Sequence, residues 1–179
     1  MKTILALSCL LFSTLLTAEN LTATAHIQFD GTSTLHDFTG KAEAEAPARW
    51  IPRAQGATLN IPEIIVDVTT LSTDHKKRDK NMLKMLDPVT YPTIIGKIEA
   101  WQLSSQKASE QIFTLRIQET TLELPVTVGA YTETPEGISI PCQFTLSLKA
   151  FDLKRPSVLG LIKVGDEVTL NIEALLRKP

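Results

Sequence analysis

The chain has 179 residues, of which 43% are hydrophobic and 21% are charged, and its formal net charge at pH 7 is −2. This length and composition suit a single domain with one buried core. The small acidic excess argues against nucleic acid as a partner and against binding to an anionic membrane surface, because both interactions require an excess of Lys and Arg.

The N-terminal segment has the pattern of a secretory signal peptide. Lys2 is followed by an apolar run at residues 4–16, and Thr17 and Ala18 are the small residues expected before a cleavage site. We predict that residues 1–18 are removed. The mature domain at residues 19–179 is then expected to be soluble and to have no stable membrane anchor, because no later stretch approaches about 18 consecutive apolar residues.

Apolar and polar residues alternate along most of the mature domain, which is the pattern of half-buried β-strands. About eight sequential antiparallel strands close naturally into a barrel, which leaves no exposed edge. We therefore predict an all-β fold, an eight-stranded antiparallel barrel that can hold one small ligand, with a β-sandwich as the alternative. The predicted strands lie around residues 25–29, 38–46, 57–71 with an interruption at Pro62, 93–101, 113–117, 122–130, 138–148 and 168–176.

The predicted strand at residues 38–46 has unusually small residues on its inward face. These residues, which alternate with charged ones, are Ala42, Ala44 and Ala46. Methyl groups leave room inside a barrel, and that room is either a ligand pocket or space filled by large residues of the facing strand.

The clearest alternation lies at residues 138–148, where one face is formed by Ile138, Ile140, Cys142, Phe144, Leu146 and Leu148. Pro141 indicates an edge or a bulge in this strand. The four residues at 134–137 have the composition of a turn, so we predict an antiparallel hairpin between residues 122–130 and 138–148. Removal of the signal peptide eliminates Cys9, which leaves Cys142 without a partner for an internal disulfide.

Residues 72–86 lack the alternation and are predicted to form a short helix. Candidate N-caps are Ser72, Thr73 and Asp74, and the pair Asp87-Pro88 is expected to end the helix. One face of the helix carries Arg78, Met82 and Leu86, so it is charged at its start and apolar further along. This face either plugs one end of the barrel or lines a ligand entrance, where Met side chains make adaptable contacts.

Groups that could perform catalysis or bind a metal are few. The chain has three histidines, and it lacks the motifs of a zinc site, a nucleophile elbow and a phosphate-binding loop. A metal site would have to gather His26, His36 and His75 from three separate segments, and the alternation turns His26 outward. We therefore expect no metal, no cofactor and no enzymatic activity.

The adjacent polar pairs His36-Asp37 and Arg78-Asp79 have two interpretations each. His36 or Arg78 could bind the polar head of a ligand at the mouth of a pocket, because apolar pockets contain a few polar groups that fix a ligand's orientation. In the other interpretation, the adjacent Asp37 and Asp79 make turn or helix-end hydrogen bonds, or ion pairs, that only stabilise loops.

Four sequence blocks occur in an order that is found in a known family. They are Phe29-Asp30-Gly31-Thr32-Ser33-Thr34-Leu35-His36-Asp37-Phe38-Thr39-Gly40, then Leu71-Ser72-Thr73 with Arg78-Asp79-Lys80-Asn81-Met82, then Tyr91-Pro92-Thr93, and finally Phe144-Thr145-Leu146-Ser147-Leu148. Together these blocks resemble those of the YceI-like family, and the similarity spans about residues 21–176.

This resemblance implies an eight-stranded lipocalin-like barrel with one short helix, located in the bacterial periplasm. Its apolar interior is expected to bind a polyisoprenoid or a similar amphiphilic lipid without catalysing a reaction, and a homodimer is left open. The residues expected to contact the ligand are Phe29, His36, Phe38, Ala42, Ala44, Arg78, Met82, Leu115, Val126, Cys142, Phe144, Leu146 and Leu170.

Two other functions compete with lipid binding. The first is a structural or adaptor protein with a filled barrel, which would bind another periplasmic protein through its loops. An empty interior would count against it. The second is an enzyme that uses His36 or Cys142, and the inward position of Cys142 predicts that this thiol reacts slowly with reagents.

Overall fold

The computed structural model describes residues 17–158 and 162–179. Most of the predicted signal peptide, residues 1–16, lies outside these ranges. The helix α1 spans Lys76–Leu86 and follows a 3₁₀ turn at Val68–Thr70. The strands are β1 (Glu19–Ser33), β2 (Phe38–Arg53), β3 (Gly56–Asp67), β4 (Thr93–Leu103), β5 (Ser109–Ile117), β6 (Thr120–Val128), β7 (Thr132–Thr134), β8 (Gly137–Ser147), β9 (Ser157–Val158) and β10 (Ile162–Arg177).

The sheet closes on itself, which confirms the predicted antiparallel barrel. Within the described residues, eight strands form a ring in the order β1, β2, β3, β4, β5, β6, β8, β10 and back to β1. The ring closes through a long ladder between β1 and β10, which runs from Thr22↔Arg177 to Gly31↔Val168. The short strands β7 and β9 pair with β8 and β10 outside this ring. A continuous ring excludes the two separate sheets of a sandwich.

Strand β2 shows why the interior of the barrel has space. Its alanines at 42, 44, 46 and 48 are buried, and the charged residues between them are exposed. The register with β1 places Ala25 opposite Ala44 and Ala23 opposite Ala46. Two neighbouring strands therefore present small side chains to the same part of the interior.

The predicted hairpin between residues 122–130 and 138–148 is only partly correct. Strand β6 pairs with β8 at Thr127↔Gln143 and Val128↔Cys142, and the turn at residues 134–137 joins β8 to β7 instead. The chain leaves the β6–β8 ladder at Gly129, whose N–H donates to the Pro141 carbonyl at 2.8 Å. It then turns so that the Tyr131 side chain enters the interior, where it is buried.

The N-cap of α1 lies one residue after the segment 72–74 in which we predicted it. The N-cap is His75, whose Nδ1 accepts a hydrogen bond from the Arg78 N–H at 3.4 Å. Ser72 is not available as a cap, because its backbone forms an isolated bridge to Lys41 of β2. The predicted end of the helix is confirmed, since Asp87 is a left-handed C-cap with φ 48°.

Helix α1 lies across one end of the barrel and is attached at both of its own ends. The bridge between Lys41 and Ser72 fixes the segment that leads into the helix. At the other end, the Gln118 side-chain amide donates to the carbonyls of Met85 and Leu86, each at 3.1 Å. The opposite end of the barrel, here called the floor, is closed by packed side chains that include Leu21, Trp50, Leu103, Val128 and Tyr131.

Candidate functional site

An apolar cavity of about 540 Å³ occupies the barrel interior between the floor and α1. Ligand pockets in proteins measure roughly 300–1,000 Å³, so this central cavity has the size of a binding site. The space beside the β2 alanines is therefore not filled by large residues of other strands. Its wall includes Ala42, Ala44 and Ala46, each of which is buried.

The structure gathers on the wall of the central cavity every residue that we predicted to contact a ligand. These residues come from several strands, the β1–β2 loop and α1, and their contact with a ligand stays a prediction. They are Phe29, His36, Phe38, Ala42, Ala44, Arg78, Met82, Leu115, Val126, Cys142, Phe144, Leu146 and Leu170.

Sequence reasoning missed two groups of lining residues. One group consists of further inward-facing apolar residues, which share the alternation that identified the others: Ile27, Ile64, Val66, Ile94, Ile98, Trp101 and Ile172. The second group is polar and lies at the α1 end, at the last residue of β1 and in loop and helix segments where alternation gives no signal: Ser33, Thr73, His75, Lys77 and Asn81.

Two reciprocal pairs of Phe and Gly build the cavity wall next to α1. Phe29 lies opposite Gly40, and Gly31 lies opposite Phe38, in the β1–β2 ladder. Each ring covers its glycine so closely that a Cβ at Gly40 would lie 2.1 Å from the Phe29 ring, and one at Gly31 would lie 2.5 Å from the Phe38 ring. Any larger residue at either glycine would displace a ring. The Phe-x-Gly spacing that occurs twice in the first sequence block thus has a packing reason.

The cavity opens beside α1 through an entrance, here called the mouth, which carries the polar lining residues. Arg78 lies in the first turn of α1, and its guanidinium carbon is 5.0 Å from the centroid of the Phe38 ring, a cation–π distance. His36 is exposed on the β1–β2 loop, where its backbone N–H and carbonyl both bond to the Ser33 hydroxyl. Among the described residues that line the cavity, none is an Asp or a Glu.

Asp79 has the structural role that we considered for it. Its carboxylate accepts hydrogen bonds from the Thr73 N–H at 2.8 Å and from the Thr73 hydroxyl at 2.5 Å. Partial burial opposes ionisation, but these bonds and one from Ser72 outweigh it and hold the pKa of Asp79 below its ordinary value. Arg78 and Asp79 thus have different roles, because Asp79 fixes the start of the helix while Arg78 lines the mouth.

Cys142 lines the central cavity and is poorly suited to act as a nucleophile. Burial, with a smaller contribution from the charge of Glu173, raises the pKa of the Cys142 thiol to about 12. Thiolate is the reactive form, and at neutral pH very little of it is present at such a site. His26 points outward as predicted, and its Nδ1 lies 3.1 Å from the Glu43 carboxylate.

Within residues 17–158 and 162–179, His, Cys, Asp and Glu side chains form no group of three or more arranged to bind a metal ion. The described helix also lacks the length and the apolar character that crossing a membrane requires.

Comparison with known families gives a match over most of the sequence. The model of the YceI-like domain matches residues 15–176. The chain belongs to the YceI-like family. This agrees with the resemblance carried by the sequence blocks, and it places both Phe-x-Gly pairs and Arg78 of this YceI-like chain inside the matched domain. No curated protein sequence matches it.

Solved structures share the barrel of this YceI-like chain at low sequence identity, so they establish the fold. BcnA of Burkholderia cenocepacia superposes with a TM-score of 0.64 at 13% identity, over 84% of this chain and 94% of BcnA. A polyisoprenoid binding domain from Saccharophagus degradans, implicated in plant cell wall breakdown, gives 0.58 at 12% identity, over 90% and 100%. The YceI protein of Campylobacter jejuni gives 0.54 at 15% identity, over 68% and 73%.

Proposed function

We propose that this protein is exported to the periplasm and binds a polyisoprenoid or a similar amphiphilic lipid inside its barrel, without catalysing a reaction on it. One observation carries the proposal, namely a cavity with apolar walls that is closed at the floor and has polar residues at the mouth. An amphiphile fits this arrangement with its tail inside and its head at the mouth. Each CH₂ group buried contributes about 0.8 kcal/mol, so a long tail binds without a strong polar anchor.

Two further observations support lipid binding and export. The Saccharophagus degradans domain, which has the same fold, is described as a polyisoprenoid binding domain. The N-terminal pattern of Lys2, an apolar run at residues 4–16 and small residues at 17 and 18 is typical of a signal peptide. The proposed site of action is therefore the periplasm, and the mature domain begins at Glu19.

The central cavity also bears on the competing functions. The adaptor hypothesis required a filled barrel, and the cavity of about 540 Å³ argues against it. The enzyme hypothesis required a reactive His36 or Cys142. The raised pKa of Cys142 removes most of its thiolate at neutral pH, which favours binding over nucleophilic catalysis at this residue.

The direct test is to purify the protein gently from its source, record its native mass spectrum and extract it with organic solvent. We expect a co-purified lipid, and we expect an added polyprenol to raise the free energy of unfolding by about 2.7 kcal/mol at one hundred times its dissociation constant. Repeated lipid-free preparations that also show no stabilisation by polyprenols would refute the proposal.

A matched pair of variants shows whether the lipid is inside the barrel. Ala44→Phe places a ring in the central cavity, whereas Glu45→Phe places the same ring on the exposed outer face of β2. Loss of lipid binding in Ala44→Phe and its retention in Glu45→Phe is the expected result. Equal binding by the two variants would show that the lipid lies elsewhere.

A further inference from the structure

The mouth of the central cavity has a charge of one sign. Its lining residues include Lys77 and Arg78 together with two histidines, His36 and His75, and no acidic side chain among the described residues lines it. We propose that the head group of the bound amphiphile is an anion, a phosphate or a carboxylate, and that Arg78 and Lys77 bind its oxygens. This inference rests on the proposed function and adds the chemical class of the head group.

These cations are placed where their charges do not stabilise the helix itself. Helix α1 begins with Lys76, Lys77 and Arg78, at the end where the helix dipole is positive. Positive side chains there oppose the dipole and reduce helix stability. A bound anion would reverse this effect, because it interacts favourably with the side chains and with the dipole.

Two carboxylates next to these cations, those of Asp74 and Asp79, have other partners. Asp74 forms an ion pair with Lys41 at 3.1 Å, and Asp79 accepts its hydrogen bonds from Thr73. The charge of Arg78 lowers the pKa of Asp79 through space, but in the described part of the chain no carboxylate forms an ion pair with Arg78.

Arg78 is also fixed in a position that suits recognition of an anion. Its guanidinium lies against the Phe38 ring, and Phe38 is held in turn over Gly31 by the packing of β1 on β2. A cation–π contact uses none of the guanidinium N–H groups as hydrogen-bond donors to the ring, so they can donate to two oxygens of an anion at once. A half-buried guanidinium without a counter-ion, at the edge of an apolar cavity, gains most from an anionic ligand.

Three ligands with the same isoprenoid tail measure the contribution of the head group apart from that of the tail. They are geranylgeraniol, geranylgeranyl phosphate and geranylgeranoic acid. For the wild-type protein we expect at least one anion to bind about tenfold tighter than the alcohol, and we expect added salt to reduce this preference. Arg78→Gln should lose most of the preference while it still binds the alcohol. The control variant is Lys107→Gln, which removes one charge from the exposed turn between β4 and β5 at the floor end. This variant should retain the preference for the anion.

The outcomes distinguish this inference from the proposed function. If the alcohol binds as tightly as both anions, the head-group inference is wrong and lipid binding stands. If none of the three binds, the proposed function fails as well. Inorganic phosphate alone should not compete at the same concentration, and equal competition would show that the tail is not bound. If Arg78→Gln does not fold, the three ligands are compared on wild-type protein and on Lys77→Gln. A weaker preference for the anions in Lys77→Gln supports the head-group inference, and an unchanged preference contradicts it.

Discussion

The two ends of the barrel differ in what fills them. At the floor, the indole of Trp50 and the ring of Tyr131 meet edge to face with centroids 5.1 Å apart, and aliphatic residues close the remaining space. At the mouth, the same strands end in a loop and a helix that carry polar side chains, some of them exposed and some half-buried. The floor provides stability and the mouth leaves access. A barrel that was packed like the floor throughout would have no room for a ligand.

The largest expected effect is a loss of stability at the floor. Trp50→Ala removes the partner of Tyr131 from a packed region and should lower the free energy of unfolding by about 3–5 kcal/mol. Leu170→Ala, on the wall of an existing cavity, should cost less than about 2 kcal/mol because Leu170 already borders empty space. Urea denaturation of both variants measures the difference. Equal costs would mean that the floor and the cavity wall are packed alike.

A sharper comparison adds the same ring at two depths of the same strand. Both Ala44 and Ala48 are buried on the inner face of β2, but only Ala44 lines the central cavity. Ala48→Phe should overpack the floor region and cost about 1–3 kcal/mol, whereas Ala44→Phe should cost less than about 1 kcal/mol. Thermal melts in the absence of lipid test this order. A larger penalty at position 44 would show that the cavity collapses in solution.

Cys142 lines the cavity wall, and its titration reports on burial there. Below about pH 9 the thiol is protonated in both the folded and the unfolded chain, so it contributes no pH dependence. Between about pH 9 and pH 12 the unfolded chain releases the proton while the folded chain retains it. Stability should therefore fall by up to about 1.4 kcal/mol per pH unit relative to Cys142→Ala. If the stability difference between the two proteins did not change with pH, the Cys142 thiol would be exposed to solvent in the folded protein.

The smallest effect concerns the attachment of α1 at the mouth. Asp79→Ala removes the hydrogen bonds from Thr73 and should cost about 1 kcal/mol, since the carboxylate is partly exposed. Because the pKa of Asp79 is lowered in the folded chain, this contribution is present at neutral pH and disappears as the pH falls below the ordinary value of 3.8. The exposed Asp37 provides the control, and Asp37→Ala should be neutral in denaturation experiments at pH 7.

The inward strand residues were predictable because burial on a strand repeats with a period of two. Leu115, Phe144 and Leu146 were identified this way, and all three are buried on the cavity wall. The residues at the mouth were not predictable by this rule, since loops have no such period. The N-cap of α1 was predicted wrongly at residues 72–74, because Ser72 forms a backbone bridge with Lys41 of β2, thirty-one positions earlier in the chain. No local pattern predicts a contact between segments so distant in sequence.

The sequence by itself determined the family, the number of barrel strands and the face of each strand that turns inward, because these depend on motifs and on short-range periodicity. The tertiary structure decided whether the interior is empty. The alanines of β2 were compatible with a filled barrel until the register with β1 placed Ala23 and Ala25 beside them. The tertiary structure also decided that the Arg78 guanidinium lies over the Phe38 ring, because only closure of the barrel and the attachment of α1 bring these two residues together.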